Sequence, residues 1–126
     1  MNDDDSGGCT SRAPYALQVL GNSMEPEFQD GAVIVVDPDF PSTHGAYVIV
    51  DYEGETYLRQ FIVRENARFL CALNGDYPEI PLLNAFLIRG VVTQQARRRK
   101  LGVMRARHYV QEKTDQSVEV SFSTRI

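Results

Sequence analysis

The 126-residue sequence predicts an all-β fold, a curled sheet or partly open barrel with a β extension at its C-terminus. Three observations carry that expectation. Six runs rich in β-branched and aromatic residues follow one another between residues 15 and 95. Turn residues separate them at short intervals. Helical periodicity is almost absent between the runs.

The elements follow in order. "YALQVL" (15–20) and "AVIVVD" (32–37) flank a segment, "GNSMEPEFQDG" (21–31), that ends in the turn pair Asp30-Gly31. Within it, "SMEPEF" is the one place for a helical turn, with Pro26 near its start. "DPDFPSTHG" (37–45) leads into "AYVIVDY" (46–52), and Glu53-Gly54 then predicts a tight hairpin into "ETYLRQFIV" (55–63). "ARFLCAL" (67–73), the turn "NGDYP" (74–78) and "AFLIRGVVTQQ" (85–95) complete the core. Alternation resumes from Val103 to Phe122, which predicts a β-hairpin with "EKTDQS" as its loop. The resulting organisation is a polar tail (1–12), a core domain (13–97) and a basic extension (98–126).

Composition is that of one globular domain, with 43% hydrophobic and 24% charged residues. Cys9 and Cys71 form no ligand-like spacing, so neither a disulfide framework nor a metal site is expected, and no cofactor. The opening "MNDDDSGGCTSR" does not read as a secretory signal, and no apolar run is long enough for a membrane span. A cytoplasmic protein is the expectation. Charge is uneven. Residues 1–96 hold 14 acidic against 5 basic side chains, whereas 97–126 hold 3 against 8, many in "RRRKLGVMRAR". A solvated basic face explains this most simply; nucleic acid, an acidic partner or the chain's own acidic body are the other candidates.

Four segments carry a family likeness. "GNSMEPEFQDGAVIVVDP" resembles the nucleophile segment of LexA-type peptidases, family S24, which includes UmuD-type proteins and phage repressor C-terminal domains. Signal peptidase I is more distantly similar. "STHGAYVIVDYEGETYLRQF" resembles the family's turn, hairpin and base-bearing strand; "ALNGDYPEIPL" and "LIRGVVTQQ" resemble the segments that follow. The resemblance spans residues 15–97 and implies a serine endopeptidase fold with Ser23 as nucleophile.

A serine hydroxyl needs a neighbouring base to take its proton. The family uses a lysine kept neutral by desolvation, with backbone amides around the serine holding the oxyanion. Matching "ETYLRQF" to the family strand puts Arg59 at the lysine position, 36 residues after Ser23. Arginine stays protonated in proteins and cannot abstract a proton. The chain's lysines, Lys100 and Lys113, both lie beyond the family domain. Arg59 is therefore expected to be a fixed cation and hydrogen-bond donor beside Ser23, with a carboxylate as its natural partner. His44, in the turn "PSTHG", is the other candidate base, although a turn role suits it better. Met24 is expected in the core or a pocket wall, Tyr77 and Pro78 in packing, and His108 in an exposed basic segment.

Self-cleaving relatives cut an Ala-Gly or Cys-Gly bond upstream of the serine. This chain has neither dipeptide, and 22 residues precede Ser23. It is therefore either a fragment or a free-standing relative of the peptidase domain. The resemblance further implies a homodimer formed through C-terminal regions, a peptide segment or protein partner at the Ser23 cleft, and a regulatory role of the DNA-damage (SOS) type. Two functions stay open: a serine peptidase with an impaired dyad, or a silent binding module that is polymerase-accessory or repressor-like.

Overall fold

The computed structural model describes residues 12–110. The expected N-terminal tail, apart from Arg12, and the second strand and loop of the C-terminal hairpin lie outside them. The described chain is almost entirely β, an open antiparallel sheet, in agreement with the predicted class. Its strands are β1 (Tyr15–Gln18), β2 (Val33–Asp37), β3 (Tyr47–Tyr52), β4 (Glu55–Arg64), β5 (Ala67–Cys71), β6 (Ile80–Pro81), β7 (Phe86–Gln95) and β8 (Arg107–His108). They join in one sheet of order β1-β2-β7-β3-β4-β5-β6, with β8 added to β7.

Local sequence accounts for the connections. Glu53 and Gly54 both have positive φ, 49° and 84°, so the β3–β4 hairpin turns in the sense that suits the twist of its strands. The pairing Tyr52↔Glu55 brackets that two-residue loop. On β7, two register shifts leave Thr93 unpaired against β2 and Arg89 unpaired against β3. Each extra residue bends the strand, which curls the sheet around its centre. Gly90 sits beside one of these shifts because the backbone approach there is close: a Cβ at this position would meet Val36 Cγ1 at 2.4 Å.

The apolar side chains pack on both faces. One core holds Val19, Met24, Phe28, Ile34, Ile49 and Val92; the other holds Val48, Val50, Phe61, Leu70 and Val91. Neighbours on one strand divide between them, as do Ile49 and Val50, because side chains alternate across a strand. This double burial explains why "AYVIVDY" reads as a continuous apolar run rather than an alternating one.

The basic extension departs from a regular strand. Arg99–Leu101 form a 3-10 turn that the sequence reading missed, closed by reciprocal backbone bonds between Arg98 and Val103. Gly102 supplies the left-handed residue the turn needs, at φ 81°. Val103 is buried, and Leu101 and Tyr109 pack against the first core. Arg107 pairs with Glu27 at 3.0 Å, so part of the extension meets the acidic body of its own chain. Arg97, Arg98, Arg99 and Lys100 line an outward-facing concavity, without a carboxylate partner among the described residues.

Candidate active site

The segment "GNSMEPEFQDG" is an outward loop plugged into the core. Val19 and Ala32 pair across its base (N···O 2.8 Å), and Gly31 N–H donates to Val19 O. The Gly21 amide donates to Asp30 Oδ1 at 2.7 Å, which closes the loop from inside. Gly21 and Gly31, at φ 86° and 93°, make the two reversals. Met24 and Phe28 are fully buried and anchor the loop, and Phe28 N–H donates to Met24 O. The Glu25 amide donates to Asn22 O at 3.2 Å, and these two bonds are what forms of the expected helical turn. With Met24 turned inward, Ser23 faces the cleft.

A second turn clamps the first. The Asn74 amide donates to Ser23 O at 3.0 Å, and Asn74 Nδ2 donates to Asn22 O. Tyr77 Oη donates to Asn22 Oδ1 at 2.7 Å. "NGDYP" therefore holds the backbone on both sides of the Ser23 Cα. The sequence predicts a packing role for Tyr77; the side chain is instead 38% exposed and its ring stands beside Arg59. Nothing in a tyrosine of a surface turn distinguishes those two places in sequence alone.

Arg59 comes from β4, where alternation puts it on the same face as Phe61. It is 8% exposed. Nη1 donates to Ser23 Oγ at 2.9 Å and to Leu58 O at 3.0 Å. The guanidinium carbon lies 5.0 Å from the Tyr57 ring centre and 5.6 Å from that of Tyr77. These aromatic faces take the place of the expected carboxylate: among the described residues, no acidic side chain pairs with Arg59. Burial pulls its pKa below the ordinary arginine value, and the Tyr57 and Tyr77 hydroxyls act in the opposite sense. Its Nε–H is buried without an acceptor.

The polarity of the Ser23–Arg59 bond decides what the pair can do. A general base must accept the serine proton. Here the partner donates to Oγ, and no group among the described residues accepts from it. His44 does not fill the gap. Its Nδ1 accepts the Val63 amide at 2.9 Å, and the cavity it lines, with Thr43, Tyr47 and Val110, includes neither Ser23 nor Arg59.

Ser23 and Arg59 open on a cleft of about 260 Å³. Its walls are Leu17–Leu20 on one side and Thr56–Arg59 on the other, with Ile34 and Ile49 between them. Leu20 stands 83% exposed on the rim. Beyond shared walls at Leu17, Ile49 and Thr56, a second cavity of about 490 Å³ continues toward Arg12 and Arg89. Behind the loop, Glu27 accepts from Arg107 (3.0 Å) and from Tyr109 Oη (2.5 Å), while buried Gln95 donates to Tyr109 Oη and to Glu27 O. The sequence reading missed this cluster, since its hydrogen-bonded pairs are 14 to 82 residues apart.

The fold and the Ser23 loop define a class, and comparison with known sequences agrees. The Peptidase S24-like profile matches residues 6–93, and the chain belongs to that family. It is 38% identical over 87 residues to the HTH-type transcriptional regulator for conjugative element R391 of Providencia rettgeri, covering 64% of this chain and 40% of that protein. It is 42% identical over 67 residues to prophage repressor CohE of Escherichia coli K12, covering 52% and 30% respectively. Repressor protein C2 of Salmonella phage P22 is 31% identical over 88 residues, covering 65% and 41%. The chain thus spans less than half the length of these relatives.

Proposed function

We propose that this chain is a regulatory S24-fold module that keeps the nucleophile position, Ser23, but is silent or strongly impaired as a Ser-Lys peptidase because Arg59 occupies the base position. The donor polarity of the Arg59–Ser23 hydrogen bond carries this reading. Loss of general-base assistance typically costs about 10²–10⁴-fold, and a nucleophile and its base act as a unit. The names of the relatives, transcriptional regulators and repressors, support a regulatory role in the cytoplasm. Among the described residues no helix is long and apolar enough to cross a membrane.

In this reading the cleft is a docking groove for an extended protein segment. Among the described residues the outer edge of β1 has no partner strand, and β4 pairs with β5 only from Gln60 onward, which leaves Glu55–Arg59 without one. Two such edges beside an apolar cleft suit strand addition. A homodimer is the proposed assembly, with the groove serving a repressor-like or polymerase-accessory partner of SOS type.

One observation favours the second reading, a working peptidase: Ser23 lies in an open cleft on a rigid loop. Incubation of the wild type and Ser23→Ala with an Ala-Gly peptide, across neutral to alkaline pH, separates the two. Wild-type turnover that disappears in Ser23→Ala would establish the peptidase.

A further inference from the structure

The Arg59 guanidinium is a buried cation with donors to spare. Nη1 is fully used by Ser23 Oγ and Leu58 O. Nη2 bonds nothing among the described residues, and the Nε–H is buried without an acceptor. These unused donors are adjacent. The Nε–H and Nη2 edge of a guanidinium is the fork that receives a carboxylate through two parallel hydrogen bonds. The aromatic faces of Tyr57 and Tyr77 attract the cation but accept no in-plane hydrogen bond. A buried charge without a counter-ion is costly, and an anion that reaches it recovers strong, partly desolvated interactions.

Most of the remaining cleft lining is apolar, with Gln18 and Thr56 as its other polar members. Leu17, Val19, Ile34, Ile49 and Leu58 surround the space beside Arg59. A simple ion would leave those walls unused. A carboxylate on an aliphatic body would satisfy both ends, as in the last residues of an extended peptide.

We infer that the cleft is a carboxylate receptor: Arg59, through its Nε and Nη2 edge, holds the carboxylate of a bound peptide segment while the apolar walls hold the adjoining side chains. This rests on the docking-groove reading and adds the chemistry of the occupant. Nη2 makes first contact, and Nε is engaged as the flanking side chains give way. The Arg-for-Lys replacement then exchanges a proton-accepting site for an anion-binding one, in the same cleft. The occupant is the C-terminal end of an extended peptide, whose terminal carboxylate meets Arg59 while its last aliphatic side chains lie along the apolar walls.

Three blocked tripeptides test this on the full chain: acetyl-Val-Leu-Ala as free acid, the same peptide as its amide, and acetyl-Val-Leu-Asp-amide. Binding is followed by calorimetry and by the Nε–H resonance of Arg59. The expected result is that a carboxylate-bearing peptide binds about tenfold or more tighter than the neutral amide, since a hydrogen bond to a charged group is worth that much. The free acid should be the tighter of the two acids; tighter binding of the Asp amide would overturn the C-terminal assignment. The Arg59 Nε–H signal should shift with an acid and not with the amide. Arg59→Gln should abolish the preference, and Arg59→Lys, which keeps charge but loses the fork, should reduce it. The wild-type resonance decides the matter even if a variant does not fold. Equal binding of all three peptides overturns the carboxylate site while leaving the docking groove standing. No binding and no shift with any of them overturns both.

Discussion

The Arg59 guanidinium donates to Ser23 Oγ across 2.9 Å, and the two residues lie 36 positions apart on a loop and on β4. In a working dyad the proton would travel from serine to its neighbour. Here the neighbour has a proton to give and no lone pair to offer.

Raising the pH should not awaken the wild type, because Arg59 stays charged through the accessible range. Arg59→Lys places an amine in the same buried spot, where desolvation lowers its pKa and a neutral fraction grows with pH. Cleavage of a supplied Ala-Gly peptide should then appear in the variant, increase toward alkaline pH, and vanish when Ser23→Ala is added. A gain at the low end of about 10²-fold over background is expected. Gel or mass-spectrometric detection of product is sufficient.

Glu27 should confer a pH-dependent hold on the C-terminal extension. Burial pushes its carboxyl up, but hydrogen bonds from Tyr109 and Arg107 outweigh that and leave the pKa below the ordinary 4.5. A depressed folded-state pKa adds stability above the unfolded value and loses it as pH falls through the folded one. Thermal melts of wild type and Glu27→Gln should therefore differ near neutral pH and converge below about pH 4.5. A gap that persists unchanged into acid would mean that the carboxylate charge is not what secures Arg107 and Tyr109.

Gly90→Ala should destabilise the sheet. The new Cβ would lie 2.4 Å from Val36 Cγ1 and 3.2 Å from Asp37 O, at the centre of the fold. Overpacking of this kind costs about 1–3 kcal/mol, and in a domain of this size roughly 4–8 °C of Tm accompanies each kcal/mol. Adding Val36→Ala removes the nearest clash. The double variant should melt above the value that the two single changes predict when summed.

The basic corner is expected to fail as an independent nucleic-acid site. Arg97, Arg99 and Lys100 are exposed and Arg98 is half-buried, but the chain as a whole carries a net charge of −4. Titration against duplex DNA at low salt should show no saturable binding. Binding with a log–log salt slope near −3.6 would instead indicate that all four engage phosphate, at about −0.9 per contact.

Much of this molecule was legible in its residues. β-Branched runs marked the six long strands, because pleated surfaces favour those side chains. Glu53-Gly54 marked its hairpin, because few pairs accept two positive φ values in succession. Ser23 and Arg59 could be named because a serine between turn residues and a strand arginine occupy positions with family precedent. The short strand Ile80–Pro81 and the turn at Arg99–Leu101 were not legible: two or three residues carry no periodicity, and their pairing partners decide them.

The sequence by itself determined that the residue 36 positions after Ser23 is an arginine and not a lysine, and side-chain identity alone establishes that a guanidinium keeps its proton near neutral pH. It determined equally that the chain would form strands. Only the tertiary structure decided how Arg59 is compensated, with two aromatic rings in place of a carboxylate, and that its Nε–H is left without an acceptor. Only the structure could show that Tyr77 stands beside Ser23 and Arg59 and that Glu27 ties the Ser23 loop to Arg107 and Tyr109. The physical reason is common to all of these. Charge compensation depends on distance and orientation in three dimensions, and sheet register and two bulges in β7 set those quantities for residues far apart in the chain.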